Sequence, residues 1–255
     1  MTTEHVVGLD LSGRTALVTG GGSGIGRACA LRLAAAGASV LVVDVNADAA
    51  SKVATEIGGR ALVADLGHPD SAGTLPRSVD VLINNAGLQV VSPLTDFPDD
   101  RFALIQRVMV ESPYRLIKHV LPHMYASGWG RIINISSVHG LLASPYKSAY
   151  VAAKHALEGL SKVTALEGAP HGVTSNCICP AFVRTPLVDR QIADQAAVNG
   201  IPESEVVEKI MLDRAAIKRL IEPAEVAELM AYLCTPPASL ITGSSVTIDG
   251  GWTAH

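Results

Sequence analysis

Short, nearly unbroken apolar runs alternate with longer stretches of helical composition along the chain. The runs are TALVTG at 15–20, SVLVVD at 39–44, RALVAD at 60–65, DVLINN at 80–85, RIINIS at 131–136, TSNCIC at 174–179 and SSVTID at 244–249. A strand with one wet face alternates apolar and polar residues. Runs that are apolar at almost every position predict strands buried on both faces, as in a parallel sheet covered by crossover helices. The stretch 25–36 (IGRACALRLAAA) has helical composition and closes on Gly37, and 99–126 and 148–169 predict the long helices. Residues 71–78 (SAGTLPRS) leave no room for a full crossover helix, so an abbreviated connection is expected there. The charged segment 186–223, between the sixth and seventh runs, reads as a mobile helical lid. No repeat, linker or composition break divides 1–255, which predicts a single-domain, Rossmann-type α/β fold: a doubly wound parallel sheet with helices on both faces.

Composition narrows the function. Hydrophobic residues make up 48% and charged residues 17%, which supplies a core and excludes a disordered chain. The net charge is −4 and no Lys or Arg run exists to neutralise a phosphate backbone, so nucleic acid is not an expected partner. The most apolar stretch, 28–45, is interrupted by Arg32, Gly37 and Asp44, so no membrane span is expected. Glu4 and Asp10 stand where an export signal would need an apolar segment, which points to a cytoplasmic protein. Cys29, Cys177, Cys179 and Cys234 form no C-x-x-C pair, and His123, His171 and His255 are scattered; buried thiols and no metal are expected.

Between the first strand and first helix lies TGGGSGIG, 19–26. Residues Gly20, Ser23, Gly24, Ile25 and Gly26 place side-chain-free backbone and a helix N-terminus where a pyrophosphate can approach. Asp44 ends the second strand, where a carboxylate accepts hydrogen bonds from a ribose and repels a 2′-phosphate. With no Arg beside it, NAD is favoured over NADP. Asp65 ends the third run at the same edge and is assigned to the adenine, and Leu66 next to it is assigned to the cofactor site.

With this turn, NNAG at 84–87, Ser137 and YVAAK at 150–154 in order, the chain resembles the short-chain dehydrogenase/reductase family over essentially its whole length. Tyr150 and Lys154, four apart on a predicted helix, share one face, and Ser137 ends the preceding strand, so the three can converge on one carbonyl. A free Tyr titrates near ~10, and the Lys154 ammonium and a nicotinamide cation both favour its phenolate, which makes Tyr150 the general base for alcohol oxidation. The resemblance further implies that Ser137 binds the reacting oxygen and that Lys154 also holds the nicotinamide ribose. It implies that Asn85, Ala86, Gly87, Val183 and Thr185 line the cofactor. Two positions depart from the family pattern. Ala181 replaces a usual glycine. Met109 replaces a usual Asn of a proton-carrying water chain, and its side chain cannot usefully donate or accept, so either the relay runs through other waters or backbone or turnover is slower.

Within the family, similarity to the bacterial D-3-hydroxybutyrate dehydrogenases rests on Gln89, SVHG at 137–140, SPYKS at 144–148 and the lid segment 187–191. It implies a substrate cage of Gln89, His139, Lys147 and Gln191: one cation and several directional donors, suited to a small anionic 3-hydroxy acid. Phe182 stands where that subfamily often has a larger aromatic. The resemblance also implies a homotetramer packed through the long helices and the segment 249–252. Two other readings remain. One is a relative acting on another polar alcohol, a sugar or a 3-oxoacyl thioester; the other is an NAD-sensing binding protein, against which the complete Ser137, Tyr150 and Lys154 set argues.

Overall fold

The computed structural model describes residues 8–254; Glu4, which stands against an export signal, and His255 lie outside the described residues. The seven runs become strands β1 (Thr15–Thr19), β2 (Ser39–Asp44), β3 (Arg60–Val63), β4 (Val81–Asn84), β5 (Gly130–Ile135), β6 (Val173–Pro180) and β7 (Ser245–Ile248). They form one parallel sheet in the order β3-β2-β1-β4-β5-β6-β7. The order reverses between β1 and β4, where the crossovers leave on opposite faces and a crevice opens at the carboxyl ends of the strands. Helices are α1 (Gly24–Ala35), α2 (Ala47–Ile57), α3 (Asp99–Gln106), α4 (Ser112–Ser127), α5 (Ser148–Gly168), α6 (Pro186–Asn199), α7 (Glu203–Val206) and α8 (Pro223–Leu233).

The unbroken hydrophobicity of the strands has a direct cause. Ala16 and Val18 of β1, with Val40 and Val42 of β2, pack into one core beneath α1 and α8; Leu17, Leu41 and Val43 pack into a second beneath α4. Both faces are buried, so the central positions of these strands are closed to water and only their ends, such as Ser39, reach it.

Differences from the sequence expectations are local. The helix expected over 99–126 is broken by a π turn at Arg107–Glu111. Pro113 lacks the N–H that would bond the Met109 carbonyl, and the chain rewinds by bonding the Ser112 N–H to the Arg107 carbonyl. The third strand ends at Val63, two residues early, because the Asp65 carboxylate folds back to accept from the Gly67 N–H at 2.8 Å. Asp80 likewise stays outside β4 and accepts from the Thr15 N–H at 2.8 Å and from Arg14 at 3.0 Å. The abbreviated crossover is a 3-10 turn at Pro69–Thr74. The segment 186–223 holds α6, α7 and a second π turn at Val207–Met211, and a bridge between Val183 and Ile221 ties its two ends together.

Among the described residues, no helix is long and apolar enough to cross a membrane, and no group of three or more His, Cys, Asp or Glu is placed to hold a metal ion. The four cysteines are buried and unpaired.

Candidate active site

A cleft of about 650 Å³ runs along the carboxyl ends of the strands. Its first half is built by the β1 to α1 turn. Gly20 adopts φ 62° and Gly24 φ 51°, conformations that favour glycine. Ser23, the residue before α1, makes no side-chain cap, so no side chain of its own shields the first amides of the helix. A Cβ on Gly22 would lie 2.8 Å from Ala49 and 2.9 Å from the Asp44 carboxylate, which itself accepts from the Gly22 N–H at 2.9 Å. The turn is a cradle for backbone contact with a phosphate, and it fits a dinucleotide.

Gly20, Ser23, Gly24, Ile25, Asp44, Asp65, Leu66, Asn85, Ala86, Gly87, Val183 and Thr185 all line this cleft, as does the pair Tyr150 and Lys154. Gly26 is the exception: it is buried behind the turn and does not line the cleft. A Cβ there would stand 2.1 Å from the Gly20 carbonyl oxygen and 2.5 Å from the Asn85 amide nitrogen, so its glycine serves close packing of α1 on the sheet. Gly26→Ala is expected to cost ~3 kcal/mol and to lower the thermal unfolding midpoint by roughly 6–12 °C, measured by calorimetry. Asn85 holds the same joint, its amide donating to the Thr19 carbonyl at 2.9 Å and to the Gly20 carbonyl at 3.1 Å.

The second half holds the reactive groups. Ser137 follows β5; its hydroxyl oxygen accepts from the His139 N–H at 3.1 Å and lies 3.4 Å from His139 Nδ1. Tyr150 and Lys154 project from one face of α5, the ammonium 5.4 Å from the phenol ring centre. Lys154 Nζ donates to the Ile135 carbonyl at 2.6 Å. Without a nucleotide in the cleft, burial dominates the electrostatics of this pair. Burial pushes Tyr150 up to about 12, opposed by a hydrogen bond from Ser137, and burial draws Lys154 down to about 8. In the free protein the phenol keeps its proton.

Beside this triad, Gln89, His139, Lys147 and Gln191 converge on the cleft. Lys147 is 3% exposed, and its ammonium lies 4.8 Å from the Phe182 ring centre, with no carboxylate among the described residues paired to it. Burial lowers it to about 8. His139 is lowered to about 3, first by burial and then by the charges of Lys147, His155 and Arg214, so its ring is neutral at working pH. His139 Nε2, Gln89 Nε2 and Gln191 Oε1 are buried polar atoms without a partner. Native interiors rarely leave such atoms bare, and three of them beside the Lys147 ammonium around one space define a ligand of matching polarity.

Several features here escape sequence reasoning. Tyr146 has φ 67°, the one non-glycine with positive φ among the described residues, and its carbonyl accepts from the Ser92 N–H at 3.0 Å. That strained turn delivers Lys147 to the cleft. Trp252, at the end of the segment 249–252, is buried in its own chain, 5.6 Å from the His139 ring, with Arg214 stacked 4.3 Å from its indole. Ala181 has no positive φ, so its departure from glycine carries no backbone strain. Met109 is 1% exposed and fills an apolar patch with Ile105, Ala149 and Ala153.

A family model described as "Enoyl-(Acyl carrier protein) reductase" matches residues 20–253. A D-beta-hydroxybutyrate dehydrogenase of Rhizobium meliloti is 44% identical, the match covering 95% of this chain and 99% of that one. Among solved structures, a short chain dehydrogenase/reductase family protein superposes with a TM-score of 0.86 at 34% identity, covering 97% of this chain and 100% of that one. A putative 2-deoxy-d-gluconate 3-dehydrogenase of Agrobacterium tumefaciens, solved with bound NADP, superposes with a TM-score of 0.84 at 30% identity, covering 96% of this chain and 98% of that one. The fold order, the glycine cradle and these matches agree: the chain belongs to the short-chain dehydrogenase/reductase family of oxidoreductases.

Proposed function

We propose that the protein is an NAD-dependent dehydrogenase of a small 3-hydroxy acid, interconverting D-3-hydroxybutyrate and acetoacetate. One observation carries the reading: a buried lysine without a carboxylate partner, Lys147, faces the same cleft as Tyr150 and the bare polar atoms of Gln89, His139 and Gln191. A buried cation is costly unless paired, and a substrate carboxylate is the missing partner. The relative from Rhizobium meliloti supports the same substrate.

The nucleotide, held along Gly20 to Ile25 and beside Asp44, supplies the hydride acceptor. Asp44 favours the form without a 2′-phosphate, because its carboxylate is fixed on the Gly22 N–H and would repel a second anion. The chain's own groups do the rest. Lys147 anchors the carboxylate, Gln89 and Gln191 supply amide contacts, and neutral His139 offers one ring N–H to the acid. Ser137 holds the C3 oxygen while Tyr150, in the phenolate form that the Lys154 ammonium stabilises, takes its proton and becomes the phenol. Segment 186–223 acts as a lid that excludes water, and Phe182 walls the methyl end. Exposed apolar residues on the outer faces of α4 and α5, Tyr114, Val163 and Leu166, support a tetramer packed through these helices. The reading includes a cytoplasmic location.

The test is initial rates with NAD+ and with NADP+ on D-3-hydroxybutyrate, its L-enantiomer and a neutral secondary alcohol. Saturable oxidation of the D-acid, faster with NAD+, is the expected result. Turnover of the neutral alcohol alone would keep the family and discard the acid.

A further inference from the structure

Behind the reactive groups, α5 carries a second buried ionisable side chain that the chemistry above does not use. Glu158 is 5% exposed and stands four residues after Lys154, on the same face of the helix. Its carboxylate accepts from the Cys179 thiol of β6 at 3.2 Å and from the Ser245 hydroxyl of β7 at 2.5 Å. A Cβ on Gly140 would lie 3.1 Å from its Oε1, so the turn that bears Ser137 and His139 rests directly on it. Both donors are neutral and neither supplies a countercharge.

We infer that Glu158 is a positioning residue for the reaction: its carboxylate, clamped by Cys179 and Ser245 one turn beneath Lys154, holds the Lys154 side chain in its ammonium form. The inference rests on the reading of Lys154 as the partner of Tyr150. The surroundings of Lys154 leave Glu158 as the source of negative charge. From α5 itself come Tyr150, a phenol, and Glu158; from β6 come Cys177 and Cys179, both driven far up by burial and by Glu158, and hence thiols. The turn after β5 offers neutral His139, and β5 offers only the Ile135 carbonyl. On the side of α3 and the π turn, Ile105 and Met109 pack on α5 as apolar groups, and Gln106 donates to the Ala149 carbonyl at 3.0 Å. Desolvation is the largest effect on Lys154 and draws it down; Cys177, Cys179 and Glu158 oppose it, and with both cysteines kept as thiols the opposing charge is that of Glu158. In the water-poor space behind the cleft such a charge is weakly screened. Each of the two Glu158 carboxyl oxygens accepts from a neutral donor, an arrangement that suits a carboxylate.

The test needs neither substrate nor nucleotide. In nitrogen-labelled protein, the Lys154 Nζ resonance, assigned by its loss in Lys154→Arg, is titrated by NMR. Glu158→Gln, which keeps shape and removes charge, is expected to lower the Lys154 midpoint by about one pH unit, a tenfold change in acidity. Ser245→Ala, which removes a hydrogen bond and keeps the charge, is expected to move it by less than about a third of that. An unchanged midpoint in Glu158→Gln, or an equal drop in Ser245→Ala, would overturn the inference. The unmutated protein gives a second readout that no folding defect can obscure: the Glu158 carboxyl carbon must show a step at the Lys154 midpoint, and its absence also overturns the pairing. If the midpoint falls in Glu158→Gln while turnover holds, the electrostatic coupling stands and the role given to Lys154 fails.

Discussion

Replacing Tyr150 with phenylalanine is expected to slow oxidation of the hydroxy acid about a thousandfold, ~4 kcal/mol of transition-state stabilisation, while nucleotide affinity stays within about twofold. The split follows from where the hydroxyl stands. Tyr150 lies at the junction of the two halves of the cleft, beside Ser137 and Lys154, whereas the phosphate cradle is made by the β1 to α1 turn. Phenylalanine keeps the ring and the apolar packing against Ala149 and Ala153, so folding is spared. The parent enzyme carries a further signature. Burial holds the phenol up at about 12, so across neutral pH only a small fraction is ionised. Oxidation needs that phenolate and its rate must climb with pH; reduction needs the phenol as acid and its rate must stay nearly flat. Stopped-flow rates in both directions from about pH 6 to 8 check this. Equal pH slopes in the two directions would remove Tyr150 from the proton transfer.

Much of the fold was legible because its strands are buried on both faces, and burial of that kind leaves a one-letter trace. Val40 to Val43 are apolar because successive side chains enter different cores. The strand ends were less legible, since Asp65 and Asp80 satisfy backbone N–H groups with their side chains, and a composition run cannot tell such a residue from a strand terminus. The π turn was written in Pro113, though a helix-period pattern does not register one extra residue.

In the site, residue identities were legible and their electrostatics were not. Tyr150 and Lys154 follow from helical spacing. The proton on Tyr150 depends on how completely water is excluded, which neighbours distant in the chain decide. Glu158 shows the same limit: beside Gly159 on a charged helix it has the look of a wet residue, and only the arrival of Cys179 and Ser245 from β6 and β7 makes it a buried charge. Lys147 gave half its meaning from sequence, as a cation near the triad. The other half, its burial without a carboxylate partner, needed the φ of Tyr146.

That burial makes the second large prediction. Lys147→Met is expected to lower kcat/KM for the hydroxy acid about a hundredfold, ~3 kcal/mol, mostly through KM, and to leave a neutral secondary alcohol nearly untouched. The same change should stabilise the free protein. Lys147 is drawn down to about 8 from its ordinary 10.5, so the unfolded chain binds its proton more tightly than the folded one. The cost of the buried charge is therefore fully present below about pH 8 and fades as pH rises toward the unfolded value. Methionine removes it, and at pH 7 the unfolding midpoint is expected to rise by roughly 2–8 °C, about 1–2 kcal/mol. Substrate binding runs with the opposite sign. A carboxylate pairs only with the ammonium, so KM for the acid must rise about tenfold per pH unit above the Lys147 midpoint, whereas KM for a neutral alcohol stays level. Site and stability are thus in opposition at one residue: the charge that destabilises the empty protein is the charge that recognises the acid. Calorimetry with and without acetoacetate, in the parent and in Lys147→Met, reads both halves at once. A variant that is no more stable, yet still gains stability from acetoacetate, would place carboxylate recognition elsewhere in the cleft.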